Sequence, residues 1–166
     1  MPRSATDYGL SALFTLVLTA ALPASAAQWP SAPYLPLDMA QKAANAALTH
    51  CAAEGHRVSV AIVDRSGSIK VLLKADESGP HTVGSSQGKA FTAASMGRDT
   101  LGLADFMKDH PELDGLRDMD QRMVILGGGV AIKAGDTVIA GIGVGGAPSG
   151  KIDDDCARTG LATIVQ

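Results

Sequence analysis

Aromatic residues are scarce in this sequence of 166 residues: one tryptophan, two tyrosines and three phenylalanines make up 4% of it. Glycine occurs 19 times, and the hydrophobic content is nevertheless 46%. Small side chains let helices and strands pack closely, which leaves little internal volume. We therefore expect a large ligand to lie in a surface groove or between subunits.

An excess of basic residues is also missing. Lys and Arg number 14 against 17 Asp and Glu, and the net charge of −3 is spread along the chain. Nucleic-acid binding normally requires a basic patch that follows the phosphate backbone. We therefore expect no nucleic-acid partner.

Long apolar runs are absent after the N-terminal region. Arg3 precedes an apolar segment at 10–22, which is followed by Pro23 and the small residues 24–26. This layout is typical of a secretory signal peptide with its cleavage site, and the run is short for a membrane span. We expect residues 1–26 to be removed, leaving a periplasmic or secreted protein without a membrane association. An uncleaved N-terminal anchor is the alternative.

Cysteine occurs twice, at Cys51 and Cys156. Neither residue begins a C-x-x-C-H sequence, which excludes covalent attachment of a c-type haem. In an exported protein both thiols would meet an oxidising compartment, so the sequence favours a disulfide over two buried thiols.

Two nucleotide-binding patterns occur, and their context argues against both. A G-x-G-x-x-G pattern begins at Gly141, but its first two glycines fall inside a predicted strand rather than in the turn after it. A phosphate-loop pattern ends in Lys151, and Ile152 then stands where a Ser or Thr should hold magnesium.

The most regular pattern is a glycine-rich hairpin over residues 124–149. Strict alternation from Val138 puts apolar side chains on one face of a strand and Gly141, Gly143 and Gly145 on the other. Glycine inside a strand usually marks the close approach of a second backbone or a ligand. We expect a helix to pack on this face, and a flat ligand is the alternative.

Hydrophobic periodicity and turn residues predict an α+β domain over residues 37–166, with an antiparallel sheet flanked by helices. The expected order is helix, hairpin, two helices, hairpin, helix, and the charged connection is expected to be a solvated loop. The predicted helices span 37–54, 84–96, 100–108 and 151–165, the first hairpin pairs 57–63 with 68–74, and the charged connection spans 111–121.

Three groups of polar residues could catalyse a reaction or bind a metal, but local structure also explains why each group is present. Asp64 could be a catalytic acid, but it opens a predicted type I turn, where Asp is favoured. His50, Cys51 and His56 could bind zinc, although a histidine near a helix C-terminus also compensates the helix dipole. The carboxylates of residues 153–155 could bind a cation, but acidic residues are stabilised at a helix N-terminus without an ion.

His81 differs from the other histidines in its setting. It follows Pro80, precedes a predicted helix and has no carboxylate nearby in the sequence. Imidazole is a common axial ligand of haem iron and a common ligand of other metals. His81 is therefore the candidate metal ligand of this chain.

Five segments carry a resemblance to a known family, and they are 79–82, 89–93, 127–129, 142–147 and 153–160. In their order and spacing they resemble the GlcG/HbpS family of haem-binding proteins, which is related to the C-terminal domain of PduO. The resemblance runs from about Leu37 to the C-terminus. The sequence departs from the usual pattern of the family at Ala131, at Gly145 and at residues 74–77.

The resemblance implies a profilin-like or GlcG-like sheet, a homo-oligomer, and non-covalent haem b in grooves near subunit contacts. It makes His81 and Thr82 the candidates nearest the iron and Lys89 the candidate for a haem propionate. Thr92, in the same segment as Lys89, is a further cofactor-binding candidate. A partner sensor protein is also implied.

The leading interpretation is an exported protein that binds or senses haem or iron, and not an enzyme. One alternative is slow haem-dependent chemistry, either peroxidase activity or breakdown of the haem itself. Another is an accessory protein of a catabolic operon that binds a corrinoid or a small organic ligand.

Overall fold

The computed structural model describes residues 30–165, of which residues 32–165 belong to one compact unit. The predicted signal peptide at 1–26 lies outside the described residues. Between residues 30 and 165 the chain forms four α-helices, four strands and one 3₁₀ helix. In chain order these are α1 (Leu37–Ala53), β1 (Ser59–Asp64), β2 (Ile69–Lys74), α2 (His81–Met96), α3 (Thr100–Lys108), the 3₁₀ helix (Pro111–Asp118), β3 (Gly129–Ala134), β4 (Thr137–Gly145) and α4 (Gly150–Ala162).

The four strands form one antiparallel sheet in the order β2-β1-β4-β3. Each sequence-adjacent pair is a hairpin, as predicted, and the two hairpins join where β1 pairs with β4 from Ser59–Gly145 to Asp64–Ala140. The predicted α+β class and element order are therefore confirmed.

Helices α1 and α4 cover one face of the sheet. The buried side of α1 consists largely of alanines, which bring it close to the aliphatic side chains of β1 and β4. Cys51 of α1 and Cys156 of α4 are joined by a disulfide, as predicted, with their Cα atoms 5.6 Å apart. The disulfide and the alanine packing together fix the two helices to each other.

Helix α2 covers the other face, against the glycines of β4. A Cβ on Gly141 would meet the carbonyl oxygen of Ala90, and a Cβ on Gly143 would meet that of Ser86. The helix interpretation of the alternating pattern is thus confirmed. The flat-ligand alternative for this face is wrong, because α2 occupies it.

Two predicted elements differ from the structure. Helix α2 begins at His81 rather than Gly84, because Pro80 fits the position before the first turn and both the amide and the hydroxyl of Thr82 donate to Gly79. The charged connection contains a 3₁₀ helix instead of a loop, with Pro111 at its first position and none of its residues buried.

The turn between β1 and β2 forms as predicted. The carboxylate of Asp64 accepts hydrogen bonds from the amides of Ser66 and Ser68 at 2.8 and 3.0 Å, and Gly67 has φ +81°. Asp64 therefore stabilises the turn. Across residues 30–165, none of the helices combines the length and the hydropathy needed to cross a bilayer.

Candidate functional site

A cleft of about 560 Å³ lies beside the N-terminal half of α2. One wall comes from α2, a second from α3, and a third from the loop between β4 and α4. The residues that line it include His81, Lys89, Leu101, Lys108, Leu126 and Lys151.

His81, the first residue of α2, is exposed at the mouth of this cleft. The Nδ1–Cε1 edge of its ring lies over the backbone of Gly79, where a Cβ would be 2.8 and 2.9 Å from Cε1 and Nδ1. Within residues 30–165 no group forms a hydrogen bond with the ring. The structure therefore leaves this imidazole available to a ligand and holds it in place with glycine and proline backbone.

Thr82 points the other way. Its side chain is buried, and its hydroxyl donates to the carbonyl of Gly79 at 2.8 Å and lies 2.8 Å from the hydroxyl of Ser59. Thr82 does not line the cleft. These contacts attach the first turn of α2 to strand β1.

Lys89 closes the inner end of the cleft. The residue is 3% exposed, and Nζ donates to Oδ2 of Asp153 at 2.7 Å and to the carbonyl of Val144 at 3.0 Å. The other carboxylate oxygen of Asp153 accepts from the amide of Ala147 at 3.0 Å. A buried charge is tolerated when it is paired and hydrogen-bonded, and here the pair links α2, β4 and α4.

Thr92 lies outside the cleft and is fully buried. Its hydroxyl donates to the carbonyl of Gly88 at 2.7 Å and accepts from the amide of Val124 at 2.8 Å. Of the four residues predicted to bind the cofactor, the cleft thus brings together His81 and Lys89, and only His81 is exposed.

The two other groups of possible metal ligands do not converge. The carboxylates of residues 153–155 contact three different side chains, which are those of Lys89, Arg158 and His50. Cys51 is unavailable as a zinc ligand because its sulfur is in the disulfide.

Sequence reasoning missed the outer wall of the cleft. Leu101, Ala104, Asp105 and Lys108 all line it from α3, and their spacing of i, i+3, i+4 and i+7 is that of one helix face. That spacing could have identified the stripe. Nothing in the local sequence shows that the stripe faces His81.

The walls of the cleft and its rim differ in polarity. Leucine and alanine side chains form its walls, and two lysines, Lys108 and Lys151, lie on its rim. Lys108 pairs with Asp105, whose pKa is lowered first by the hydrogen bond from Lys108 and further by the charges of Lys108 and Lys151. One carboxylate therefore lies between two cations, and the rim carries a net positive charge.

Comparison with known proteins identifies the family. The family model described as "Haem degrading protein HbpS-like" matches residues 35–162. The chain belongs to this HbpS-like family. The resemblance found in the sequence is therefore confirmed.

Solved structures agree with the HbpS-like assignment. The chain is 39% identical to a double mutant of HbpS from Streptomyces reticuli, with a TM-score of 0.79 over 89% of this chain and 99% of that one. It is 25% identical to the Klebsiella pneumoniae protein ORFY, with a TM-score of 0.76 over 84% and 97%. A crystal structure of a PduOC:heme complex is 28% identical, with a TM-score of 0.73 over 80% and 96%. No curated protein matches the sequence.

Proposed function

We propose that this HbpS-like protein binds haem b non-covalently in the cleft beside α2, with His81 as the axial ligand of the iron. The observation that carries the proposal is an exposed imidazole, without a hydrogen-bond partner within residues 30–165, at the mouth of an apolar cleft. Haem in the crystallised PduOC complex supports the same ligand class.

The volume of the cleft and the apolar side chains of its walls suit a haem group. A volume of about 560 Å³ is within the range of known ligand sites, and the cleft is open on one side. Leu101 and Leu126 offer apolar surface to a porphyrin face, and Leu126 is 57% exposed. Bound haem would supply an iron with coordination positions for an imidazole and for a second, small ligand.

Lys108 and Lys151 are better placed than Lys89 to hold the haem propionates. Both are exposed on the rim, and the ion pair of Lys108 with Asp105 is solvated, whereas Lys89 is buried together with Asp153. A solvated ammonium group can pair with an incoming carboxylate at little desolvation cost. The propionates would then point towards solvent.

Export remains part of the proposal. The N-terminal pattern of charge, apolar segment and small residues supports it, and the disulfide between Cys51 and Cys156 suits an oxidising compartment. We also propose a homo-oligomer, since the open side of the cleft would be covered by a second copy. A sensor protein is a further proposed partner.

Breakdown of the bound haem is the second candidate function, favoured by the description of the family as haem degrading. The two candidates share one site and differ in the response of the complex to peroxide. Binding alone predicts a persistent Soret band, and breakdown predicts loss of the band with release of iron.

A hemin titration with one matched pair of variants tests the proposed site. Leu126→Asp removes an apolar wall of the cleft, and Leu72→Asp makes the same change on β2 outside it. We expect a saturable Soret shift for the wild type and Leu72→Asp, and at least about tenfold weaker binding for Leu126→Asp, since a charge would face the porphyrin.

Equal binding by both variants would place the ligand elsewhere. No Soret shift in any of the three proteins would exclude haem. Protection against thermal unfolding by a corrinoid or an organic acid would then favour the accessory-protein alternative. Light scattering of the purified protein, with and without hemin, measures the proposed oligomer.

A further inference from the structure

A second cavity, of about 300 Å³, lies on a different face of α2 and shares no lining residue with the cleft of His81. Its floor comes from α2, and its sides come from the β1–β2 turn and from the segment before β3. Gly84, Gln87, Gly88 and Phe91 line it at the spacing of one helix face. The volume is at the lower end of small-molecule sites and is too small for a porphyrin.

The floor of this cavity contains the ring of Phe91, which packs against a turn and a guanidinium group. A Cβ on Gly67 would be 2.5 and 2.6 Å from ring atoms of Phe91, so the turn lies directly against the ring. The guanidinium of Arg122 lies over the same ring, with Cζ 4.0 Å from the ring centroid. A cation at this distance is attracted by the ring quadrupole, so ring and guanidinium fix each other.

Arg122 is also oriented by Asp120. Its Nε and Nη2 donate to the two carboxylate oxygens at 3.0 and 2.7 Å, and its amide donates to the same carboxylate at 2.9 Å. These hydrogen bonds lower the pKa of Asp120 to about 2, so the pair stays ionised at neutral pH. Nη1 has no partner within residues 30–165, and it lies 3.9 Å from the position of a Cβ on Gly67, at the edge of the cavity.

Gly84 has no packing reason to be glycine. A Cβ at this position would meet nothing within 4 Å, whereas a Cβ on Gly88 would meet the side chain of Val124 and the carbonyl of Arg122. Glycine inside a helix costs about 1 kcal/mol relative to alanine. Gly84 therefore leaves this part of the cavity wall without a side chain.

We propose that this cavity binds a small monocarboxylate with an apolar body. The outer end of the planar guanidinium presents one N–H of Nη1 and the second N–H of Nη2 side by side, the parallel geometry that suits a carboxylate. The apolar body would lie against Ile69, Val124 and the part of the Phe91 ring that lines the cavity. Gln87 and Gln121 line it as well. The neighbouring carboxylate of Asp120 disfavours dianions such as phosphate.

Benzoate is the probe for this site, with benzamide and inorganic phosphate as controls. In an NMR titration of the full-length protein we expect benzoate to shift the Arg122 side-chain and Gly88 amide resonances saturably. Benzamide, which has the same ring and no charge, should bind at least about tenfold more weakly, and phosphate should give no saturable shift.

Two substitutions make the result specific to the cavity. Gly84→Leu should fill it and abolish the benzoate shifts, and Gly102→Leu, on α3 where a Cβ also meets nothing within 4 Å, should leave them unchanged. Arg122→Gln should weaken benzoate binding at least about tenfold while thermal unfolding stays cooperative. Hemin binding should be unaltered in Gly84→Leu, which separates this site from the haem cleft.

The proposal would be overturned if benzoate caused no saturable shift. Equal binding of benzoate and benzamide would overturn the role of Arg122. Benzoate binding that persists in Gly84→Leu would show that the anion binds outside the cavity and would contradict the proposal.

Discussion

The two ends of the cleft beside α2 differ in what their polar side chains do. His81 and Lys89 both belong to α2 and both line the cleft. His81 is exposed at the mouth, and no group within residues 30–165 forms a hydrogen bond with it. Lys89 is buried at the inner end, where Asp153 compensates its charge. One end of the cleft is therefore available to a ligand, and the other supports the fold.

The difference arises from the cost of burying a charge. An ammonium group that is buried away from water needs a partner of opposite charge. Asp153 is that partner for Lys89. An imidazole on the surface has no such requirement and stays available to a ligand. Residues that face one cleft can thus have opposite roles, and burial distinguishes them.

Removing the buried ion pair at the inner end of the cleft should have the largest effect on stability. Lys89→Met leaves the carboxylate of Asp153 buried without its cation, and we expect the free energy of unfolding to fall by about 3–5 kcal/mol. Urea denaturation measures the change. The double variant Lys89→Met with Asp153→Leu should recover part of the loss, and a wild-type midpoint for the single variant would contradict the structural role.

Substitutions at two glycines compare the stability effect of a new Cβ at a packed position with its effect at an open one. Gly143→Ala should destabilise the protein by about 1–3 kcal/mol, because the new Cβ would meet the backbone of α2 at Ser86. Gly102→Ala, where a Cβ meets nothing within 4 Å, should stabilise α3 by up to about 1 kcal/mol. Equal effects of the two substitutions on the melting temperature would show that α2 does not press on β4.

The rim lysines should affect binding and not folding. Lys108→Gln and Lys151→Gln each remove one exposed cation, and we expect about a 2- to 5-fold loss of hemin affinity for each. Hemin titration and thermal unfolding on the same samples separate the two quantities. A loss of stability without a change in affinity would contradict the proposed propionate contacts.

The smallest effect concerns Asp64, whose carboxylate lies in a surface turn. The hydroxyl of Ser66, foremost, and the amides of Ser66 and Ser68 lower its pKa below the ordinary value of 3.8. A lowered pKa in the folded state gives stability above pH 3.8 that is lost as the pH falls through the folded-state pKa. Asp64→Asn should therefore show a shallower loss of stability between about pH 4 and pH 2 than the wild type. Parallel curves would contradict this.

Much of the fold could be predicted from local sequence patterns, and the disulfide could be predicted from the expected export. Alternation in the glycine-rich hairpin predicted the close approach of a helix to Gly141 and Gly143, and the export pattern favoured the disulfide. The start of α2 was misplaced because Pro80 and Gly79, rather than hydrophobic periodicity, determine it.

The site was only partly predictable. The setting of His81 after a proline is visible in the sequence, and so is the helical stripe that ends at Lys108. The burial of Lys89 depends on a partner 64 positions away, and that of Thr92 on the amide of Val124, 32 positions away. Neither contact leaves a local pattern, so sequence reasoning placed ligand and structural residues in one set.

The most direct test of the account is the hemin spectrum of His81→Gly with and without added imidazole. Hemin with imidazole alone is the control. The account predicts that the variant unfolds at the wild-type temperature, loses the wild-type Soret position, and recovers it when imidazole is added to the protein complex. A wild-type Soret position in His81→Gly without imidazole would contradict it, because another residue would then ligate the iron.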